Sequence, residues 1–391
     1  SLWGVVWQEG KDEGKPLKRV SEVADAPPMG EIQRQFIDRV AAYTIAPRGL
    51  MLKMALSGAD SFKVLKRGVP KVYKKTYSLD DGPELTKEQG EAVASIHAAM
   101  DKAQPVLLDG VTGSGKTEVY LESVTSVMKQ GRQVLILVPE IALTTAVIER
   151  LGKRFGDKPA IWHSNLTPAQ RRRIWNAIAS GEETLVLAAR SGLLLPFRDL
   201  GLIVVDEEHD PAYKQEDMPI YNARDMAVLR AHLGSIPIIL ASATPSLETM
   251  QNVWAGKYKQ VQLPQRFGAA KPPHLHVIDM RGEKQDARHF VGPTLRAAIT
   301  QAMSTGEQAL LYLNRRGYAP LTLCRACGEK MNCPHCSTWL VEHKAHKLLM
   351  CHHCGYQVPI PPTCPQCNAE DSLVPCGPGV ERVAEEIMEA Y

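Results

Sequence analysis

One glycine-rich segment limits the folds open to this chain more than any other part of its sequence. Residues 110–117 read GVTGSGKT, which fits the pattern G-x-x-x-x-G-K-T, between an apolar stretch and a helix-forming one. In that context the pattern is typical of a P-loop, whose backbone amides surround phosphate groups at a helix N-terminus. The predicted phosphate-binding residues are Gly110, Val111, Thr112, Gly113, Ser114, Gly115, Lys116 and Thr117. Lys116 is expected to reach the β and γ phosphates, and Thr117 to hold Mg²⁺.

Apolar runs alternate with helix-forming segments from residue 85 onward. The predicted strands are 105–109, 134–139, 183–189, 201–206 and 236–242. Strands that alternate with helices form parallel sheets covered on both faces, so the predicted fold class is α/β. A helix is expected to start at Thr167-Pro168, because threonine caps helices and proline suits the first helical position. A second α/β unit is expected from Pro293, with a helix that starts there, a strand at 309–313 and a last helix at 379–391.

The composition is that of a globular protein, with 44% apolar residues, 23% charged residues and a net charge of +3. The longest apolar runs, such as 134–138, are far shorter than the roughly 20 residues of a membrane-spanning helix. Because basic and acidic residues nearly balance, any affinity for nucleic acid has to come from local patches. The lysine-rich segment 58–81 is either a solvated linker or a strip that contacts phosphate.

Carboxylates that could complete the phosphate site follow a predicted strand in the sequence VVDEEH at 204–209. Asp206 is expected to bind Mg²⁺, and Glu207 is the candidate general base for an attacking water. An acidic cluster alone is usually a solvated turn, but a P-loop in the same parallel sheet favours a catalytic role. His209 either couples the γ-phosphate site to a neighbouring segment or caps a loop.

Polar side chains outside these two motifs carry weaker signals. Ser242 and Thr244 follow the next strand, where their hydroxyls could hydrogen-bond to the acidic loop and transmit the nucleotide state. Gln89 precedes the first strand of the sheet. Its amide could read the edge of adenine, although a glutamine there is equally consistent with a simple helix start.

All nine cysteines lie between Cys324 and Cys376, and eight of them form four C-x-x-C pairs. Such clustering indicates metal binding in a reducing compartment rather than a disulfide framework, and no thioredoxin-like context supports a redox role. Two pairs complete one tetrahedral Cys₄ site, so four pairs predict two closed, structural zinc sites. We favour a nested arrangement over a sequential one, with Cys376 as a leftover thiol. The inner site then comprises Cys333, Cys336, Cys351 and Cys354, and the outer site Cys324, Cys327, Cys364 and Cys367.

The order of the motifs resembles the first RecA-like lobe of superfamily-two helicases. The segments GVTGSGKTEVY at 110–120, LVPEIALT at 137–144 and DEEHD at 206–210 are similar to those of the PriA family in particular. SATPSLET at 242–249 and LNRRGY at 313–318 extend the resemblance, and LNRRGY leads directly into the cysteine pairs. A generic translocase with a zinc ribbon is the alternative within the same class.

The resemblance implies an ATP-dependent, 3′-to-5′ DNA helicase that recognises and remodels stalled or abandoned replication forks and initiates primosome assembly. It implies ATP with Mg²⁺ and two structural Zn²⁺ ions as cofactors. The implied partners are forked DNA with a single-strand/duplex junction, the single-strand-binding protein SSB, primosome proteins and the replicative helicase DnaB. It also implies a cytoplasmic, nucleoid-associated bacterial monomer with no membrane partner.

The same resemblance places DNA-binding and coupling roles on particular residues. Lys18 falls on a pocket for a DNA 3′ end, and the loop 210–225 on an aromatic-rich segment that senses DNA. Tyrosines there could stack on unpaired bases, at roughly 1–3 kcal/mol per base, or could be packing residues. The DNA-binding or coupling residues expected on this basis are Lys18, Arg190, His209, Tyr213, Lys214, Tyr221, Arg224, Ser242 and Thr244.

Compared with the family, the chain is expected to be truncated. Its predicted segments are a partial, β-rich DNA 3′-end-binding domain (1–57), a basic linker (58–84), an ATP-binding helicase lobe (85–265), the start of a second lobe (266–322), the cysteine-rich module (323–370) and a continuation of the second lobe (371–391). The family's arginine finger, typically worth 10³–10⁵ in rate, is not among the motifs found. We therefore expect nucleotide binding with little turnover. A non-catalytic zinc-containing fragment that binds DNA or partners is the alternative.

Overall fold

The computed structural model describes residues 7, 28–56, 75–80, 82–139, 145–268, 273–280, 283, 289–313, 321–336, 338–343, 348–377 and 379–391. The chain divides into two compact units, Ser1–Lys271 and Pro272–Tyr391. Residues 1–6 and 8–27 of the predicted β-rich segment, Lys18 among them, lie outside the described residues. So do the lysines of the basic strip at 58–74 and most of LNRRGY.

A parallel sheet forms the centre of the first unit. In the described part of that unit the strands are β1 (Val106–Gly110), β2 (Gln133–Leu137), β3 (Ala160–Trp162), β4 (Leu185–Ala188), β5 (Leu200–Asp206), β6 (Lys214–Gln215), β7 (Tyr221–Asn222), β8 (Ile238–Ser242) and β9 (Lys259–Leu263). Seven of these strands form the sheet in the order β3-β4-β2-β5-β8-β1-β9, and every pairing in it is parallel. Strands β6 and β7 pair separately as an antiparallel hairpin. The α/β prediction is confirmed.

Helices cover both faces of the sheet. They are α1 (Glu31–Tyr43), α2 (Arg48–Ala55), α3 (Lys87–Met100), α4 (Lys116–Lys129), α5 (Thr145–Phe155), α6 (Pro168–Ser180), α7 (Ala223–Gly234) and α8 (Leu247–Trp254). The predicted start of α6 is confirmed, since the Thr167 hydroxyl accepts from the Gln170 amide at 3.3 Å while Gln170 Oε1 accepts from the Thr167 amide at 2.9 Å. Such reciprocal caps stabilise a helix by satisfying amides that lack intrahelical partners.

Alternating side chains of the central strands supply two separate cores. Leu135 and Leu137 of β2 belong to one buried cluster, while Val134 and Ile136 belong to the cluster on the opposite face. This follows from the two-residue period of a strand. Each fully buried aliphatic side chain contributes about 1.5–3 kcal/mol.

Helices α1 and α2 share the core of the sheet. Phe36, Ile37 and Met51 are buried in the same cluster as Leu137, and the Gln33 side chain donates to Leu194 O at 2.9 Å. The described part of segment 1–57 is therefore helical and packed on the first unit. The β-rich part of the domain predicted for 1–57 falls on residues outside the described ones, so it stays a prediction.

The second unit contains two helices and small antiparallel sheets among its described residues. These elements are α9 (Pro293–Ser304), β10 (Leu321–Cys324), β11 (Val341–His343), β12 (Leu348–Met350), β13 (Gln357–Pro359), β14 (Leu373–Cys376) and α10 (Val380–Ala390). Strand β10 pairs with β14, and β12 lies between β11 and β13. The two predicted helices are confirmed.

The strand predicted at 309–313 is wrong. Leu310 and Tyr312 are 95% and 83% exposed, and the segment forms no ladder. A strand requires a neighbouring strand to pair with, and the described part of the second unit offers this segment no parallel sheet. An apolar run without a neighbouring strand therefore has the sequence pattern of a strand but does not form one.

Within the described residues, no helix combines the length and the apolar character needed to cross a membrane.

Candidate nucleotide site and cysteine centres

The glycine loop connects the end of β1 to the start of α4. Gly113 and Gly115 have φ values of +81° and +84°, in the left-handed region that glycine tolerates best. A side chain at Gly110 would place its Cβ 2.6 Å from Ser114 Oγ. The three glycines therefore permit a tight loop that ends at a helix N-terminus, where amides and the helix dipole favour a phosphate.

A cavity of about 480 Å³ opens at this loop. Its lining residues are Pro83, Glu84, Leu85, Gln89, Thr112, Gly113, Gly115, Lys116, Thr117, Glu118, Arg150, Asp206, Glu207 and Phe267. Lys116 is 9% exposed, and its ammonium donates to Gly110 O at 2.8 Å. Ser114 Oγ is buried and makes no hydrogen bond within the described structure. A buried ammonium, a hydroxyl with unused capacity and a glycine loop fit a phosphate-bearing ligand.

Asp206 closes the same cavity from the carboxyl end of β5. Its carboxylate accepts from Tyr120 Oη and from the Glu207 amide, both at 3.0 Å. Burial raises the pKa of the Asp206 carboxyl, and the hydrogen bond from Tyr120 opposes that rise. Glu207 has a φ of +48°, a left-handed conformation that is unusual for a residue with a side chain. The structure thus brings Lys116, Thr117, Asp206 and Glu207 to one cavity.

Gln89 also lines this cavity, but both ends of its amide are occupied. Its Oε1 accepts from the Thr86 amide at 3.0 Å, and its Nε2 donates to Ser114 O at 3.0 Å. The structure therefore favours the helix-start interpretation and adds a contact to the P-loop. Reading of adenine by Gln89 stays a prediction, since its amide keeps a second N–H and a second lone pair beyond these two bonds.

The residues 206–209 are called the acidic turn. His209 and Ser242 connect this turn to β8, the neighbour of β5 in the sheet. His209 Nδ1 lies 2.8 Å from Ser242 Oγ, which also accepts from the Thr244 amide at 3.0 Å. The expected bond between the acidic loop and a hydroxyl is therefore present for Ser242. Thr244 takes part through its backbone.

The two tyrosines expected to stack on bases are buried. Tyr213 is 1% exposed and Tyr221 is 4% exposed. The Tyr213 hydroxyl lies 3.0 Å from Leu137 O and 2.6 Å from Asp206 O, so its single proton is shared between the two carbonyls. The structure therefore favours the packing interpretation of both rings over base stacking, because both side chains are buried in the core. Tyr213 instead joins the hairpin directly to the acidic turn.

The cations of this region differ in what they contact. Arg190 is half-buried and donates to Lys214 O at 2.9 Å and to Ala212 O at 3.4 Å, so it holds the start of the hairpin. The Lys214 side chain is exposed. Arg224 is 5% exposed and bonded to Glu208 and Asp225. A role of Arg224 in coupling is compatible with this position, whereas a direct phosphate contact is not.

Sequence reasoning missed Glu208, the third acid of the turn. It is 1% exposed and accepts hydrogen bonds from Ser246, Thr249 and Arg224. A one-letter sequence does not show which of three consecutive carboxylates points inward. The residues that bond to Glu208 lie between positions 224 and 249. In the sequence they are polar residues without an assigned role, so they indicate a buried partner only weakly.

Two groups of four cysteine sulfurs lie in the second unit, each within 4.8 Å of one another. One group is Cys324, Cys327, Cys364 and Cys367, and the other is Cys333, Cys336, Cys351 and Cys354. The nested pairing predicted from the sequence is therefore confirmed. Four converging thiols are the donor set of a closed, tetrahedral zinc site.

A hydroxyl contacts a buried sulfur in each tetrad. Ser372 Oγ lies 3.1 Å from Cys324 Sγ, and Thr338 Oγ1 lies 3.0 Å from Cys351 Sγ. These hydrogen bonds lower the pKa of each of the two thiols below its usual range. No spacing pattern in the sequence indicates either hydroxyl. Both favour the thiolate form that a metal ion requires.

Comparisons with known proteins agree with this geometry. Residues 86–253 match the DEAD/DEAH box helicase family model, and residues 333–359 match the model of the PriA DNA helicase Cys-rich region domain. The chain is 43% identical to the replication restart protein PriA of Rickettsia felis over 98% of its own length. This chain belongs to the PriA family.

Further PriA relatives show how much of such a protein the chain covers. The Bacillus subtilis PriA is 40% identical over 81% of this chain and 39% of that protein, while the Rickettsia felis match spans 59% of that protein. The chain thus spans well under two thirds of the curated relatives it matches. A solved structure, RecG bound to a three-way DNA junction, is similar at 22% identity and a TM-score of 0.37, over 49% of this chain and 25% of that one.

Proposed function

We propose that this chain is the nucleotide-dependent motor part of a PriA-type DNA helicase that acts in replication restart. The observation that carries the proposal is the single cavity at which Lys116, Thr117, Asp206 and Glu207 meet. The family models that match residues 86–253 and 333–359 support the proposal. So do the relatives, which are named as replication restart proteins.

Each residue of the cavity has a distinct proposed role. The loop amides and Lys116 bind the phosphates of ATP, while Thr117 and Asp206 supply oxygens to Mg²⁺. Bound Mg²⁺ neutralises charge on the phosphate oxygens. Glu207 orients a water for attack on the γ-phosphate and accepts its proton. Arg150, whose guanidinium donates to Glu118 at 2.5 Å, lies at the wall of the same cavity.

DNA binding is proposed for the surface around the hairpin β6–β7. Lys214 is exposed there and can contact phosphate, while Arg190 holds the hairpin in place. Tyr213 joins that hairpin to Asp206, which gives a physical route from bound DNA to the nucleotide. Lys18, which lies outside the described residues, is proposed to contribute to binding of a DNA 3′ end.

The wider assignments follow from the family. They comprise 3′-to-5′ movement, recognition of forked DNA, contacts with SSB and DnaB, a monomeric state and a cytoplasmic location. The two cysteine tetrads are proposed to hold structural zinc, with Ser372 and Thr338 supporting the thiolates. The proposed segments remain the N-terminal piece, the ATP-binding lobe, the second lobe and its cysteine-rich insertion.

Hydrolysis of ATP with and without a forked DNA carrying a 3′ end tests this function. We expect slow turnover that forked DNA stimulates, and loss of that stimulated rate in Glu207→Gln. Glu182→Gln, an exposed carboxylate outside the cavity, is the matched control and should behave as the unsubstituted chain. If the chain binds ATP but DNA does not change the rate of hydrolysis, the motor function is wrong and the chain is a nucleotide-binding scaffold.

A further inference from the structure

Glu208 is the most completely bonded carboxylate near the nucleotide cavity. Its Oε1 accepts from the Ser246 amide at 2.7 Å, and its Oε2 accepts from the Ser246 hydroxyl at 3.0 Å and the Thr249 hydroxyl at 2.8 Å. Ser246 and Thr249 lie at the N-terminus of α8. The helix end therefore receives a buried negative charge where its free amides and dipole favour one.

Arg224 brings a third segment to the same carboxylate. Its Nη1 lies 3.3 Å from Glu208 Oε2 and donates to the Ser246 hydroxyl at 2.6 Å. Arg224 is the second residue of α7, directly after hairpin strand β7. One buried ionic cluster thus connects the acidic turn, the start of α8 and the end of the hairpin.

The bonds of Glu208 restrict the backbone conformation of Glu207, the residue before it. Glu207 has the left-handed φ of +48°, and a side chain adopts that conformation only where the surroundings impose it. On one side, the Asp206 carboxylate is held by Tyr120 at 3.0 Å. On the other, the Glu208 carboxylate is held by α8 and Arg224, and the Glu208 amide donates to Ala241 O at 3.1 Å.

We propose that Glu208 is a positioning residue for Glu207, and that Arg224 transmits displacement of the hairpin to the Glu207 turn through Glu208. The role rests on the proposed motor function and deepens it. When DNA moves the hairpin, the Arg224 guanidinium moves with the end of β7. Glu208 moves with Arg224 because Glu208 is buried and has no alternative cation within hydrogen-bonding distance in the described structure. The Glu207 carboxylate then changes its orientation relative to the attacking water.

The chain offers a matched pair of carboxylates for the test. Glu248 also faces Arg224, at 3.9 Å, but its side chain is 73% exposed and forms no hydrogen bond to the guanidinium in the described structure. Glu208→Gln keeps the shape of the side chain and removes the charge that Arg224 pairs with. Glu248→Gln removes a charge from the same neighbourhood and leaves every hydrogen bond between Glu208, Arg224, Ser246 and Thr249 in place.

Single-turnover hydrolysis of ATP, with protein in excess, is measured with and without a single-stranded oligonucleotide. For E208Q we expect a DNA-stimulated rate lower by roughly 10- to 100-fold, the size of effect caused by small misplacements of reacting groups. Affinity for Mg-ATP should stay within about twofold, because Lys116, Thr117 and Asp206 are intact. E248Q should match the unsubstituted chain in both measurements. If E208Q shows no near-ultraviolet circular dichroism of a folded protein, Thr249→Val replaces it, with a smaller effect in the same direction.

Backbone hydrogen exchange of residues 206–209 provides a second readout that needs no hydrolysis. DNA should alter exchange there in the unsubstituted chain and in E248Q, but not in E208Q. If DNA stimulates hydrolysis equally in E208Q and E248Q, the positioning role is wrong while the motor function stands. If no variant hydrolyses ATP but the exchange pattern is as expected, the link stands and the hydrolytic part of the proposed function is wrong. No exchange response in the unsubstituted chain, with DNA bound, overturns the link.

Discussion

At the scale of single residues, the nucleotide site brings Lys116 and Thr117 from the start of α4 to the same cavity as Asp206 and Glu207 from the end of β5. The P-loop and the Asp206–Glu207 pair are predictable because their chemistry depends on residue type and on spacing relative to a strand end. Burial depends on contacts that are remote in sequence. Tyr213 reads as an exposed aromatic in a polar loop, yet its ring is covered and its hydroxyl bonds to two backbone carbonyls.

Gln89 gives a prediction at the same scale. Gln89→Ala removes the hydrogen bond to Ser114 O that supports the P-loop. Affinities for Mg-ATP and Mg-GTP should fall by a similar factor, roughly 2- to 10-fold, the worth of one such bond. Equilibrium binding of both nucleotides checks this. A change in the ATP-to-GTP ratio would instead support adenine reading by this side chain.

Single elements were predicted well where their signals are local. The capping box of α6 and the helices of the second unit follow from a few neighbouring residues. Contacts between elements were not predictable. Glu386 of α10 accepts from the Phe290 and Val291 amides, at 2.7 and 3.1 Å, and pairs with Arg296. No pattern in the sequence relates these residues, which lie about ninety positions apart.

We expect the contacts of Glu386 to hold α9 and α10 together in a pH-dependent way. Burial disfavours the charge, but the two amides and Arg296 outweigh it and lower the Glu386 pKa. Its stabilisation is therefore complete above the ordinary glutamate value, about 4.3, and is lost as pH falls through the lowered pKa. Glu386→Gln should reduce the unfolding free energy of the second unit by about 1–3 kcal/mol at pH 7 and weaken its acid dependence. Urea denaturation at several pH values measures both, and Glu389→Gln, an exposed neighbour, is the control.

The cysteine knuckles give a second prediction at the scale of elements. Thr338→Val removes a hydroxyl from Cys336 and Cys351, and Ser372→Ala removes one from Cys324. Each change should weaken zinc binding in its own tetrad by roughly 10- to 100-fold and leave the other tetrad unchanged. Zinc release to a chelator is the measurement. Thr338→Ser, which keeps the hydroxyl, should release zinc as the unsubstituted chain does, and equal release from Thr338→Val would contradict the role.

The whole molecule combines a complete parallel sheet with a second unit of smaller sheets. Strands β1, β2, β4, β5 and β8 were predictable because they are largely buried and read as apolar runs. Strand β9 was not predicted, because its residues KQVQL alternate between exposed and buried positions. In the second unit, the run at 309–313 has the same local signal without a sheet to pair with among the described residues. Local pattern therefore predicts a strand only where the tertiary structure supplies its neighbours.

We expect the cavity between the P-loop and the Asp206 turn to bind ATP, and calorimetric titration with Mg-ATP measures this binding. Lys116→Ala removes the buried ammonium, and Lys87→Ala removes a lysine that is 90% exposed on α3. The unsubstituted chain and Lys87→Ala are expected to bind one ATP each with equal affinity. Lys116→Ala should bind at least tenfold more weakly, roughly the worth of a hydrogen-bonded charge. Equal binding by all three, or none by the unsubstituted chain, would contradict the account.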